Sequence, residues 1–169
     1  MIQIYYGDGK GKTTAALGLI LRAFPNNFKI ALFKFFKPKG VTSEDKIFKK
    51  FKKNLKIFYP NYSSPFFNKN ISSQKFIEDE RKLFFKALNS FNKYDIIILD
   101  EALDLLKYKI VSKKEFYSIF KIDKEKIEII ITGHYIDNFI KRNADLITEF
   151  KKIKHYFDKG IKARKGIEY

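Results

Sequence analysis

Tyr5-Tyr6-Gly7-Asp8-Gly9-Lys10-Gly11-Lys12-Thr13-Thr14 follows a short apolar start and runs into an alanine- and leucine-rich segment. A strand that enters a glycine-rich turn and leaves as a helix is the setting of a phosphate-binding loop. Three glycines allow the backbone to curl, so that N–H groups turn inward without Cβ clashes. The helix beginning near Thr13 adds its positive end. Lys12 supplies a full charge, and the Thr13 hydroxyl suits Mg²⁺. The usual spelling is G-x-x-x-x-G-K-[ST], and counting back from Gly11 puts Tyr6 at the first glycine position. The nearest glycine is Gly7, so the loop is one residue tighter at its entrance. A nucleotide is the expected ligand, with Gly7, Asp8, Gly9, Lys10, Gly11, Lys12, Thr13 and Thr14 as its binding residues.

Outward from this loop, strands alternate with helices. Ile2 to Tyr6 reads as the first strand, and Thr13 to Phe24 as a helix with Ala15, Ala16, Leu19, Ile20 and Ala23 inward. Further strands are expected over Lys29–Phe35, Leu55–Tyr59, Tyr94–Asp100, Lys126–Thr132 and Asp145–Lys151. Helices are expected from Thr42 or Ser43 to Phe51, from Ser72 or Ser73 to Phe91, over Ala102–Tyr108 and Ser112–Phe120, and over Asp137–Arg142. The pattern predicts a single α/β domain over 1–169: a mostly parallel, doubly wound sheet of about six strands with P-loop NTPase (RecA-like) architecture. The segment Pro60 to Asn70 is a long polar-aromatic loop, of the kind that is usually functional or disordered.

In such a sheet ligands collect at the carboxyl ends of the strands. The apolar strand Ile96-Ile97-Ile98-Leu99 ends there in Asp100-Glu101. One carboxylate can hold Mg²⁺ (or Mn²⁺) directly or through water while the other orients a neighbouring group. Thr13, Asp100 and Glu101 are therefore the candidate metal residues, and Lys12 and Glu101 the candidate catalytic ones. The competing reading of Asp100 is a helix cap. His134 is a candidate phosphate donor. With two histidines in the chain, no general-base triad assembles.

Composition narrows the remaining classes. A chain of 169 residues with 45% hydrophobic content can bury about 70% of its unfolded surface as one domain. Cysteine is absent, which removes disulfides, thiolate metal sites and thiol nucleophiles and suits a cytoplasmic setting. Met1-Ile2-Gln3-Ile4 leads straight into the first strand, with no cleavable leader pattern. No apolar run approaches the ~20 residues of a membrane span. The net charge of +16 comes mainly from lysines spread along the whole chain, which favours a solvated surface over a nucleic-acid stripe. Lys34, Lys37 and Lys39 could still steer an anionic ligand.

Several stretches, in order, resemble the P-loop ATP:corrinoid adenosyltransferases, the cob(I)yrinic acid a,c-diamide or cob(I)alamin adenosyltransferases of cobalamin biosynthesis. Gly7 to Gly18 is similar to their phosphate loop, including its short glycine spacing. Lys34-Phe35-Phe36-Lys37 resembles their segment after the second strand, and Ile98-Leu99-Asp100-Glu101 their acidic strand end. Thr132-Gly133 and Ala144-Asp145-Leu146-Ile147-Thr148-Glu149 resemble a later pair of motifs. The ending Gly160-Ile161-Lys162-Ala163-Arg164-Lys165-Gly166-Ile167-Glu168-Tyr169 is the most specific piece. His134 stands where the family usually has arginine. The middle segment Ser63–Asn68 replaces a glycine-phenylalanine-threonine-tryptophan motif.

The resemblance implies a transferase using ATP and a reduced corrinoid as substrates with Mg²⁺, and it suggests a homodimer and an outside reductase. Co(I) attacks C5′ of ATP and triphosphate leaves, a reaction that needs no activating base. The protein must stabilise the leaving triphosphate and hold C5′ near cobalt. Phe66 and Phe67 are candidates for the corrinoid side. The Pro60–Asn70 loop and the tail from Lys154 to Tyr169 are expected to order around ligands. Other readings are a P-loop ATPase acting with nucleic acid, a small-molecule kinase, and a nucleotide-binding regulatory protein.

Overall fold

The computed structural model describes residues 1–51, 53–62, 72–123 and 125–168. Six strands form one sheet: β1 (Ile2–Tyr6), β2 (Ile30–Lys34), β3 (Leu55–Phe58), β4 (Ile96–Asp100), β5 (Glu128–Gly133) and β6 (Leu146–Glu149). Their order is β3-β2-β4-β5-β1-β6, and every pairing is parallel. The helices are α1 (Lys12–Ala23), α2 (Glu44–Phe48), α3 (Ser73–Leu88), α4 (Leu103–Lys107), α5 (Lys113–Tyr117) and α6 (Asn138–Asn143).

Parallel strands covered on both faces read as unbroken apolar runs because both sides of the pleat are dry. Ile30, Leu32, Ile98 and Ile130 face one layer, where Ala16, Ile20 and Ala23 of α1 and Phe48 of α2 pack. Their neighbours Ala31, Phe33, Ile97, Leu99, Ile129 and Ile131 face the other, against α3, α4, α5 and α6. The doubly wound architecture is thus present, with α1 alone among the longer helices on its face. The chain leaves β1 toward β2 but leaves β4 and β5 in the opposite direction along the sheet. Loops after these strands part to opposite faces, and in open α/β sheets the crevice opened in this way is the usual place for a ligand.

Side chains at three places differ from the sequence expectation. Ala15 is exposed, and Lys12 takes its place on the buried stripe Lys12, Ala16, Ile20 and Ala23. Lys34 cannot steer a ligand: it ends β2 fully buried and lies 2.9 Å from Glu44 Oε1 and 3.0 Å from Asp45 Oδ1. Its ammonium also donates to the Thr42 hydroxyl, so this candidate cap of α2 is engaged elsewhere. On α3 the apolar face carries two buried acids, Asp79 and Glu80. Asp79 accepts the backbone N–H of Tyr62 at 3.0 Å and the Asn61 side chain at 2.6 Å, tying α3 to the chain after β3.

Glu80 has a cost that pH exposes. Its Oε1 accepts the Phe36 N–H at 2.8 Å, while Oε2 has no partner among the described residues. Burial lifts its carboxyl to a pKa of about 8, although the Phe36 bond opposes the rise. The folded chain therefore keeps a proton that the unfolded chain, with a carboxyl near ~4.3, releases. Stability from this group is complete below the unfolded value and is lost as pH rises through about 8. Glu80→Gln should raise the melting temperature at pH 9 and leave it unchanged below pH ~4. Parallel melting curves for the two proteins at every pH would show that the carboxyl is solvated.

Candidate active site

The phosphate loop is shaped by glycine at each of its bends. Gly7 (φ 114°) and Gly11 (φ 117°) adopt left-handed backbone that side chains resist. Gly7 thus makes the turn one residue later than the usual spelling, which accommodates Tyr6. Gly9 is required by a neighbour: a Cβ there would lie 2.7 Å from the carbonyl carbon and oxygen of Phe150 and 2.9 Å from Lys151 C. The chain leaving β6 crosses the loop at this point, and Gly9 N–H donates to Phe150 O at 2.6 Å. Gly9→Ala should cost about 2 kcal/mol of stability, since the clash is with backbone that cannot rotate away. Urea denaturation measures it, and an unchanged midpoint would mean that the segment after β6 yields freely.

Gly7 N–H is also committed, to Gly133 O at 3.2 Å. The N–H groups of Gly11 to Thr14, at the start of α1, donate to nothing among the described residues. They form the anion-facing end of the helix. Lys12 differs from a solvated loop lysine: it is 8% exposed, with Nζ 2.6 Å from Gly7 O and 3.0 Å from Gly9 O. Burial holds its pKa below the usual lysine range, against the pull of Glu101 and Asp104.

At the end of β4, Asp100 is fully buried. Its Oδ1 accepts the hydroxyls of Thr13 at 2.8 Å and Thr132 at 2.9 Å. The carboxylate does not cap α4, whose N-cap residue is Ala102 with no side-chain cap bond. Thr132 orders both acids, because its Oγ1 also accepts Glu101 N–H at 2.8 Å. Glu101 sits at φ 66°, a conformation that turns its side chain off the strand line. Lys37 reaches across from the end of β2, 3.2 Å from Asp100 Oδ2 and 3.0 Å from Glu101 Oε1. Burial pulls the Lys37 ammonium down, but the two carboxylates outweigh it and its pKa is raised.

His134 follows β5 and pairs with a residue absent from the sequence-derived site. Its Nδ1 lies 2.8 Å from Asp104 Oδ2, and its N–H donates to Asp104 Oδ1 at 3.2 Å. Asp104 raises the His134 pKa against burial. Burial also opposes ionisation of Asp104, yet His134 holds that carboxyl below its ordinary value. Glu101, Asp104 and His134 present ligand atoms within 4.8 Å of one another. Glu101 precedes α4 and sits in left-handed backbone, so no helical spacing in the sequence pointed to Asp104.

The tail returns to the loop. Glu168 Oε1 lies 2.7 Å from Lys10 Nζ and accepts the Tyr156 hydroxyl, while Arg164 N–H donates to its Oε2 at 2.6 Å. Lys10 Nζ is also 2.7 Å from Tyr156 Oη. The tail is therefore fastened by polar groups, and its apolar side chains Phe157, Ile161 and Ile167 remain exposed. Thr14 on α1 and Asp8 within the loop are both exposed. Phe66 and Phe67 lie outside the described residues.

Known proteins resemble the chain along its full length. The model of the family described as ATP:corrinoid adenosyltransferase BtuR/CobO/CobP matches residues 1–169. The chain belongs to the ATP:corrinoid adenosyltransferase family. A corrinoid adenosyltransferase of Escherichia coli K12 is 27% identical over 169 residues, covering all of this chain and 85% of the relative. One of Pseudomonas aeruginosa is 25% identical over 171 residues, covering 100% and 83%. Among solved structures, the flagellar accessory protein FlaH of Methanocaldococcus jannaschii superposes with a TM-score of 0.57 at 17% identity, over 88% of this chain and 69% of that one. That likeness reports fold alone. No described helix is long and apolar enough to cross a membrane.

Proposed function

We propose that this adenosyltransferase moves the 5′-deoxyadenosyl group of ATP to the Co(I) of a corrinoid and releases triphosphate. The observation that carries the reading is the phosphate loop facing Asp100–Glu101, in a chain that matches the family from end to end. Co(I) is itself the nucleophile, so the protein's work is to bind and orient ATP and to stabilise the charge that develops on the leaving triphosphate. The N–H groups of Gly11 to Thr14 face that charge. Lys12 leaves the carbonyls of Gly7 and Gly9 to meet it, and Lys10 and His134 lie at its flanks.

Mg²⁺ (or Mn²⁺) belongs to this reading, held by Thr13, Asp100 and Glu101. The fit is supported by a cation already seated on these carboxylates, the Lys37 ammonium. When bound, the metal would neutralise phosphate charge. Lys12 and Glu101 are the proposed catalytic residues, Glu101 by holding the metal and not as a base. A reductase would supply Co(I), and the cytoplasm, where such electron donors work, is the proposed location. A homodimer is supported by β6, an edge strand with all four residues exposed, Leu146 and Ile147 among them. Neither nucleic acid nor a membrane enters the proposal.

Incubating ATP with chemically reduced cobalamin tests it. The expected products are tripolyphosphate and a light-sensitive Co–C adduct. Release of ADP and phosphate, stimulated by nucleic acid and without an adduct, would replace this reading with that of a P-loop ATPase.

A further inference from the structure

We propose that Lys37 is an exchangeable counterion of the acid pair: it holds Asp100 and Glu101 in the nucleotide-free chain, keeps free divalent cations off them, and moves to the triphosphate when metal and nucleotide enter together. The inference rests on the reading of Asp100 and Glu101 as metal holders and goes beyond it.

Three observations carry it. The first is position. Asp100 Oδ1 accepts the Thr13 hydroxyl while Oδ2 faces Lys37 Nζ at 3.2 Å, so the phosphate-loop threonine and the lysine share one carboxylate. A metal between Thr13 and the acid pair would share those carboxylates with an ammonium 3.0 Å from Glu101 Oε1. A dication and an ammonium on one carboxylate pair repel each other strongly in a low-dielectric site. One of them must leave.

The second is the balance of charge. The fully buried Asp100 has two neutral hydroxyl donors and a single cationic partner among the described residues, Lys37. Removing that partner without replacement would leave a buried carboxylate uncompensated, which is strongly unfavourable. A metal replaces it. The displaced ammonium then meets the negative charge that arrives with the same ligand, the triphosphate, so both charges stay paired throughout.

The third is how Lys37 is mounted. Its backbone follows Phe36, which is fixed at φ 62° by the Glu80 bond to its N–H. Phe35 N–H donates to Asp100 O at 3.1 Å, which fixes the end of β2 beside the acid pair. The side chain itself is 27% exposed, unlike the 1% of Lys34 three residues earlier. A fixed base with a partly solvated arm can swing without unfolding anything. Lys34, with its three partners, cannot.

Mn²⁺ titration followed by electron paramagnetic resonance, with no nucleotide present, tests the exchange directly and needs no turnover. Lys37→Met should bind Mn²⁺ at least roughly tenfold more tightly than the natural chain, while Lys37→Arg, which keeps the charge, should not. Lys37→Gln retains a donor for Asp100 and should follow Lys37→Met, so the test stands even if the methionine variant melts early. With Mn²⁺ present, Lys37→Met should in turn bind ATP more weakly than the natural chain. Equal nucleotide-free Mn²⁺ affinity in the natural chain, Lys37→Met and Lys37→Gln would overturn the proposal. Asp100→Asn separates the two levels: if it leaves Mn²⁺–ATP binding unchanged, the metal reading of the acid pair fails. If it weakens that binding and the lysine variants change nothing, only the counterion role fails.

Discussion

Lys12→Ala should lower adenosyl transfer at saturating ATP by about 10³-fold, an effect of about 4 kcal/mol on the transition state. Triphosphate gains charge as the C5′–O bond breaks, and a positioned ammonium is worth more to the leaving group than to bound ATP. The loss should therefore fall on turnover more than on ATP affinity. The fold should survive, for a reason the structure supplies. The ammonium contacts Gly7 O and Gly9 O and is otherwise enclosed, with its pKa lowered by burial. Removing it deletes two hydrogen bonds but also the cost of a buried charge, so the change in melting temperature should be small. Product analysis by tripolyphosphate release, beside a thermal melt, checks both halves. Near-native turnover would remove the phosphate-loop assignment.

Local patterns carried much of the fold. Each strand is bounded by a glycine, proline or polar cluster that sequence reading can see, and the alternation of strands and helices leaves few arrangements open. The six observed strands differ from the expected spans only at their ends. The phosphate loop and Asp100–Glu101 were legible for the same reason: they are contiguous, and each chemical requirement sits within a few residues. What was hidden depends on pairing across the sheet. Lys37 and Lys34 look equivalent in sequence, three residues apart on a basic stretch. The pleat and the turn at Phe36 send one to Asp100 and bury the other against Glu44 and Asp45. Asp79 and Glu80 share the buried stripe of α3 with Phe76 and Leu83, but the loop ends they bind lie far away in sequence and no local pattern names them. Gly9 appeared to serve the phosphate loop alone, yet the constraint comes from Phe150, 141 positions on, which no local pattern encodes. The polar clasp of Lys10, Tyr156, Arg164 and Glu168 was hidden in the same way.

Asp100→Asn should have the second largest effect, raising the Mg²⁺ concentration for half-maximal activity by roughly tenfold or more and lowering turnover by about 10²-fold. The substitution is nearly isosteric, and the amide oxygen can keep the Thr13 and Thr132 hydroxyls that now lie 2.8 and 2.9 Å from Oδ1. The order of the loop ends should therefore persist. What disappears is the charge. On the Oδ2 side an amide NH₂ would face the Lys37 ammonium, donor against donor, in place of the present 3.2 Å ion pair. Lys37 should then settle on Glu101 alone, already 3.0 Å away, and the melting temperature should fall moderately. A metal seat with half its carboxylate charge binds more weakly, and excess Mg²⁺ restores part of the rate by mass action. That partial rescue distinguishes a metal role from a structural one. If Asp100 served only to align Thr13 and Thr132, the asparagine variant would titrate with Mg²⁺ as the natural chain does, and its activity would follow its stability.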